Sequence, residues 1–123
     1  MQYQLKTTEP LRAPFPWFGG KAWVADIIWS RFGDVPNYVE PFFGSGAVLL
    51  ARPQIGKTET INDKDHMVSN FWRAVQRDPE AVAHYADWPV NETDLAARHY
   101  WLITEGAARL REIEGDPNLF DAQ

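Results

Sequence analysis

The sequence predicts an α/β fold that opens with a βαβ unit of a parallel sheet and continues into a helical segment. Three observations lead there. Tyr38-Val39-Glu40 is short and rich in β-branched or aromatic residues, and it runs through Pro41-Phe42-Phe43-Gly44-Ser45-Gly46 into the helix-compatible Ala47-Val48-Leu49-Leu50-Ala51. A second strand signal, Glu59-Thr60-Ile61-Asn62, follows the breakers Pro53 and Gly56. From Asp65 onward the apolar residues recur at helical spacing.

Taken in order, Pro14-Phe15-Pro16-Trp17-Phe18-Gly19-Gly20-Lys21 is dense in Pro, aromatic and Gly residues and reads as an ordered loop. A first helix is expected from Ala22 to Phe32, with Val24, Ile27, Ile28 and Phe32 as its apolar face, ended by Gly33-Asp34-Val35-Pro36-Asn37. Asp65 to Gln76 carries Val68, Phe71, Trp72 and Val75 at i, i+3, i+4 and i+7, the stripe of an amphipathic helix. Asp78 is suited to cap a further helix with Pro79 in its first turn and Val82, Tyr85 and Ala86 facing inward, ended by Pro89. Asn91, with Asp94 three residues later, caps a last helix through Leu95, His99, Leu102, Leu110 and Ile113, and Gly106 is placed to bend it.

Composition bounds the function. A chain of 123 residues with 45% apolar and 14% aromatic content can build one modest core, and its six Trp, seven Phe and four Tyr set it apart from disordered sequences. The lack of Cys excludes disulfides and thiolate metal sites and fits a reducing compartment. His66, His84 and His99 form no ligand spacing, so no metal is expected; His66 and His84 read as surface or core-edge residues and His99 as part of an apolar face. No apolar run approaches the ~20 residues of a membrane span, and Met1 to Lys6 lacks the apolar centre of a signal peptide, so a cytoplasmic location is expected. The net charge of −5 argues against a freestanding nucleic-acid binder. Arg31, Arg52, Lys57 and Lys64 read as solvated surface charges, and only Lys21 stands beside a candidate site.

In open α/β sheets ligands bind beyond the carboxyl ends of strands, where a glycine loop lets them approach the backbone and a helix N-terminus favours negative charge. Phe43-Gly44-Ser45-Gly46 has that position. Asp63 follows Gly44 by 19 residues, the separation at which an acidic residue accepts from a ribose. Gly44-Ser45-Gly46 is equally the pattern of a plain tight turn, and Asn62-Asp63 that of a helix cap. The third glycine position of a dinucleotide fingerprint is Leu49, which suits a nucleoside ligand without a pyrophosphate.

Three blocks in order, Phe15-Pro16-Trp17-Phe18-Gly19-Gly20-Lys21, Tyr38-Val39-Glu40-Pro41-Phe42-Phe43-Gly44-Ser45-Gly46 and Ile61-Asn62-Asp63-Lys64-Asp65, resemble the amino-terminal motifs of the DNA adenine methyltransferase family, the Dam-like D12 class. The likeness extends over about Pro14 to Glu80, including Asn70-Phe71-Trp72-Arg73-Ala74-Val75. It implies a Rossmann-like sheet that binds S-adenosylmethionine, with residues 1–88 as the amino-terminal part of the cofactor domain and 89–123 as the start of a DNA-recognition insertion. It implies that Trp17 and the Gly19-Gly20-Lys21 turn close over the cofactor, with the indole as an apolar wall and Lys21 as a cation. Glu40 and the backbone of Phe43, Gly44, Ser45 and Gly46 would hold the methionine end, and Asp63 the ribose. Core packing is the other reading of Trp17, and a strand-end role that of Glu40. Many members place Lys before the Trp of the first block; here it is Pro16, so a DNA contact from that lysine does not carry over.

Members of the family methylate the exocyclic amine of adenine in double-stranded DNA, in bacterial and phage restriction-modification settings, with an Asp-Pro-Pro-Tyr type motif holding the flipped base. The nearest strings here are Asp78-Pro79-Glu80 and Asp116-Pro117-Asn118-Leu119-Phe120, and neither matches. An amino-terminal fragment without the catalytic motif is therefore expected, inactive alone, with DNA met through the rest of the family fold. The alternatives are an accessory or split-enzyme piece completed by another chain, and an unrelated nucleotide-binding α/β domain.

Overall fold

The computed structural model describes residues 11–88 and 90–115, and the chain divides into two compact units, Met1–Ser69 and Asn70–Gln123. Pro89, the expected helix end, and the Asp116 to Phe120 string lie outside the described residues.

In the first unit a 3-10 turn, Ala22–Val24, leads into α1 (Ala25–Phe32), β1 (Asn37–Glu40), α2 (Ala47–Leu50) and β2 (Thr58–Ile61). The strands pair in parallel with Asn37 opposite Thr58 and Glu40 opposite Ile61, in agreement with the strand, glycine loop, helix, strand order of the sequence. The helix between them is a single turn, shorter than a dipole argument needs, because the end charges of a macrodipole come from several aligned turns. What the loop offers a ligand is therefore its backbone shape.

The core consists of Ala25, Trp29, Tyr38 and Val48, with Ile28, Val35, Leu49 and Ala51 against it. Trp29 is only 3% exposed; its ring packs 4.9 Å from Tyr38, and its Nε1–H donates to the Val48 carbonyl at 2.7 Å. Burying an indole of about 150–250 Å² contributes on the order of 4–6 kcal/mol, enough to decide which helix face turns inward. The expected face of α1 is thereby corrected: Ala25 and Trp29 are buried, while Val24, Ile27 and Phe32 are exposed. Eight residues offered two apolar stripes, and the wider side chain with a polar handle took the core.

Arg52 is a second correction. Its side chain is 3% exposed, not solvated: the guanidinium lies 5.1 Å over the Trp29 ring, donates to the Val35 carbonyl at 2.7 Å and pairs with Glu59 at 3.1 Å. Arg52 ties the segment after α2 to the start of β2.

The boundary between the units falls inside α3 (His66–Arg77), whose first N–H groups, those of Met67 and Val68, are capped by Asp65. In this helix Val68 is buried and Phe71, Trp72 and Val75 are half-buried. α4 (Pro79–Ala86) begins on Asp78, which accepts from the Ala81 N–H, and α5 (Glu92–Trp101) on Asn91, which accepts from the Asp94 N–H, both as their sequences require. A π-helical stretch, Leu102–Gly106, joins α5 to α6 (Ala107–Gly115) where a bend at Gly106 was expected. Gly106 is buried, with the Trp101 ring 3.1 Å from where a Cβ would stand. Tyr85, Ala86, Leu95, His99 and Leu102, all expected on apolar faces, are exposed. His84 is exposed as well, its ring against Tyr85 and Trp88. Among the described residues no helix is long and apolar enough to cross a membrane.

Candidate functional site

The loop after β1 is built by continuing the sheet's hydrogen bonding past the strand ends. Asn62 N–H donates to the Glu40 carbonyl, and Phe43 N–H to the Asn62 carbonyl, each at 2.9 Å. The chain then turns back through Gly44 (φ 54°) and Gly46 (φ 73°), left-handed conformations that cost glycine little. Asp63 locks this turn: its Oδ2 accepts from Gly44 N–H at 2.7 Å and its Oδ1 from Asp65 N–H at 2.9 Å. The Ser69 hydroxyl holds the Asp63 carbonyl at 3.0 Å.

The aromatic segment folds as a reverse turn. Gly20 N–H donates to the Trp17 carbonyl at 2.9 Å, with Gly19 at φ 71° in the third position, as a type II turn requires. The turn delivers Trp17 onto Gly44 so closely that a Cβ there would stand 2.5 Å from the indole Cδ1. Phe15 supports the indole edge-on at 6.0 Å. Lys21 then fastens the turn to the loop, donating to the Phe42 carbonyl at 2.9 Å and pairing with Glu40 at 3.2 Å.

Between turn and loop lies a cavity of about 220 Å³. Of the residues singled out from the sequence, Trp17, Lys21, Phe43, Ser45 and Asp63 line it, together with the Gly19-Gly20 turn. Gly44 lies directly behind Trp17. Gly46 and Glu40 are not in the wall: Gly46 starts α2, and Glu40 is 5% exposed beneath Lys21, accepting from the Tyr38 hydroxyl at 2.7 Å. Burial, that hydrogen bond and the charge of Glu40 raise the Tyr38 phenol well above its ordinary pKa. Phe18, Phe42 and Ala47 also line the cavity and had been given no role. Phe18 and Phe42 are largely exposed aromatic rings; in the sequence their place inside the two glycine-containing blocks, Phe18 before Gly19 and Phe42 two residues before Gly44, is the signal that could have marked them.

The chemistry of this wall is mixed: aromatic faces, one ammonium, one carboxylate, and a tight glycine turn. Asp63 has given two of its roughly four lone-pair positions to backbone N–H groups and keeps the others for further donors. The loop and its acidic residue stand at the carboxyl end of a parallel strand pair, where open α/β sheets hold their ligands.

The chain belongs to the D12 class N6 adenine-specific DNA methyltransferase family, whose sequence profile matches residues 17–116. It is 32% identical over 94 residues to the DNA N-6-adenine-methyltransferase of Escherichia phage P1, an alignment that covers 72% of this chain and 12% of that protein. The chain thus spans a small part of the length of the curated relative it matches. No solved structure matches the chain.

Proposed function

We propose that the cavity between Trp17 and Asp63 holds S-adenosylmethionine, and that the chain serves methylation of the exocyclic amine of adenine in double-stranded DNA. The observation that carries this reading is the convergence of Trp17, Lys21, Ser45 and Asp63 on one cavity at the carboxyl end of β1, in a chain of the adenine methyltransferase family. The donor set fits the cofactor. Asp63 has acceptor capacity left for ribose hydroxyls, Trp17 supplies an apolar wall, and Lys21 supplies a cation for the methionine carboxylate. Bound there, the cofactor would supply an activated methyl group. The cavity is smaller than the roughly 300–1,000 Å³ of a complete small-molecule site, so these residues embrace part of the ligand.

Glu40 takes part from behind, through Lys21. Residues 1–88 act as the amino-terminal part of a Rossmann-like cofactor domain, and 89–123 as the start of a DNA-recognition insertion. Positioning of a flipped adenine falls to an Asp-Pro-Pro-Tyr type segment, which these 123 residues do not contain. Transfer therefore requires a longer polypeptide or a complementing chain. The open face of the strand pair, where Val39 is 66% exposed, supports this, since parallel sheets are ordinarily covered on both faces. The likeness to a phage DNA N-6-adenine-methyltransferase fits action on DNA in the cytoplasm of a bacterial or phage-infected cell.

Calorimetric titration of S-adenosylmethionine into the chain, repeated in the presence of ATP, tests the cofactor reading. Binding that ATP does not displace is expected. Preferential binding of ATP would overturn it in favour of an unrelated nucleotide-binding domain.

A further inference from the structure

Behind the wall of the cavity, three polar side chains stand in line. The Tyr38 hydroxyl donates to Glu40 Oε2 at 2.7 Å, and Glu40 Oε1 lies 3.2 Å from the Lys21 ammonium. Tyr38 and Glu40 occupy alternate positions of β1 and so share its inward face. Both are 5% exposed, and a carboxylate so far from water is tolerable only when its oxygens have partners. At one end of the line the Tyr38 ring packs on Trp29 in the core and on the more exposed ring of Phe32. At the other end Lys21 reaches the cavity. An ammonium has three donors; the Phe42 carbonyl takes one, Glu40 faces the ammonium as an ion pair, and donor capacity is left for a ligand.

We propose that Tyr38 is a positioning residue of this site: through Glu40 it fixes the Lys21 ammonium at the cavity wall, where Lys21 receives the carboxylate end of the ligand. The ligand side of this inference rests on the cofactor reading above; the Tyr38–Glu40–Lys21 relay does not. Burial and the neighbouring Glu40 carboxylate raise the Tyr38 phenol above its ordinary pKa and so favour its donating form. Among the described residues Glu40 Oε1 has no hydrogen-bond partner beyond its ion pair with Lys21, so the Tyr38 hydroxyl at Oε2 sets the carboxylate's orientation. Without that hydroxyl the carboxylate can rotate, and the Phe42 carbonyl alone retains Lys21.

Tyr38→Phe keeps the ring in the core and deletes the hydroxyl. Trace acetylation with acetic anhydride, read by mass spectrometry, reports how firmly Lys21 is held, with Lys57 and Lys64 in the same molecule as references. In Tyr38→Phe the Lys21 rate should rise at least about threefold against both references, the scale of losing a modest hydrogen bond. Glu40→Gln should give the same rise, and the double variant no more than either, because the two changes cut one chain of contacts. An unchanged Lys21 rate, or fully additive effects, would overturn the relay.

The ligand arm compares S-adenosylmethionine with 5′-methylthioadenosine, which keeps the nucleoside and sulfur but has no carboxylate. Tyr38→Phe should weaken the first by about tenfold, about 1.4 kcal/mol, and leave the second unchanged. Equal weakening of both would assign Tyr38 a purely structural role and overturn the proposal. If the unmodified chain binds neither compound, the cofactor reading fails, and the lysine labelling still decides the relay.

Discussion

Replacing Gly44 by alanine should displace Trp17 from the cavity wall while leaving the fold in place. Two costs are separable. Gly44 sits at φ 54°, where an L-residue loses about 1–2 kcal/mol of backbone energy. Gly19, at φ 71° and with nothing among the described residues within 4 Å of where a Cβ would stand, incurs the backbone cost alone. At Gly44 the new methyl would also stand 2.5 Å from the Trp17 Cδ1 and 2.9 Å from its Nε1. That is about 1 Å inside the ~3.5 Å at which carbon atoms begin to attract. Trp17 is 40% exposed, so its ring can swing outward and the backbone need not yield. Urea unfolding should therefore show similar losses for Gly44→Ala and Gly19→Ala, each about 1–2 kcal/mol. The Trp17 indole N–H resonance should move only in Gly44→Ala, and S-adenosylmethionine affinity should fall there by at least about tenfold, 1.4 kcal/mol. An unmoved indole resonance together with unchanged affinity would refute the assignment of Gly44 as the seat of Trp17.

Three further perturbations probe the frame. Trp29→Phe deletes the donor to the Val48 carbonyl and leaves that carbonyl buried without it, so urea unfolding should register a loss of about 2–4 kcal/mol from the orphaned acceptor and the smaller ring. Arg52→Met should cost about 1–3 kcal/mol by the same assay, since the Val35 carbonyl and Glu59 lose their partner; a neutral result would show the buried guanidinium to be dispensable. Asp63→Asn turns one of the two accepting oxygens into a donating NH2, so either Gly44 N–H or Asp65 N–H faces a donor in place of its acceptor. Hydrogen exchange at Gly44 or Asp65 should accelerate, and S-adenosylmethionine binding should weaken along with it.

Element order was legible because punctuation and caps are local: Gly33, the Gly44-Ser45-Gly46 loop, Asp78-Pro79 and Asn91 with Asp94 each set an element boundary through chemistry within a few residues. The parallel pairing followed from the helix lying between the two strands. What hydropathy misread were residues whose burial depends on distant partners. Glu40 points inward and Val39 outward, the reverse of their polarity, because Tyr38 and Lys21 satisfy the carboxylate. Arg52 is buried because Trp29, Val35 and Glu59 meet it across 7 to 23 positions of the chain. Trp29 outranked Ile27 for the core through ring area and the Val48 carbonyl, neither of which a periodicity count weighs. The site blocks were visible as motifs, but only the fold revealed that Asp63 serves the loop itself before any ligand.

The central claim, that the turn at Trp17, the loop at Gly44 and the carboxylate of Asp63 form one cofactor site, is tested most directly by following amide and indole N–H resonances while S-adenosylmethionine is titrated into the chain. The account predicts saturable shifts confined to Trp17 through Lys21, Phe43 through Gly46 and Asp63, and their disappearance in Asp63→Ala. Shifts centred elsewhere in the chain, or no shifts at millimolar cofactor with the fold intact, would contradict it.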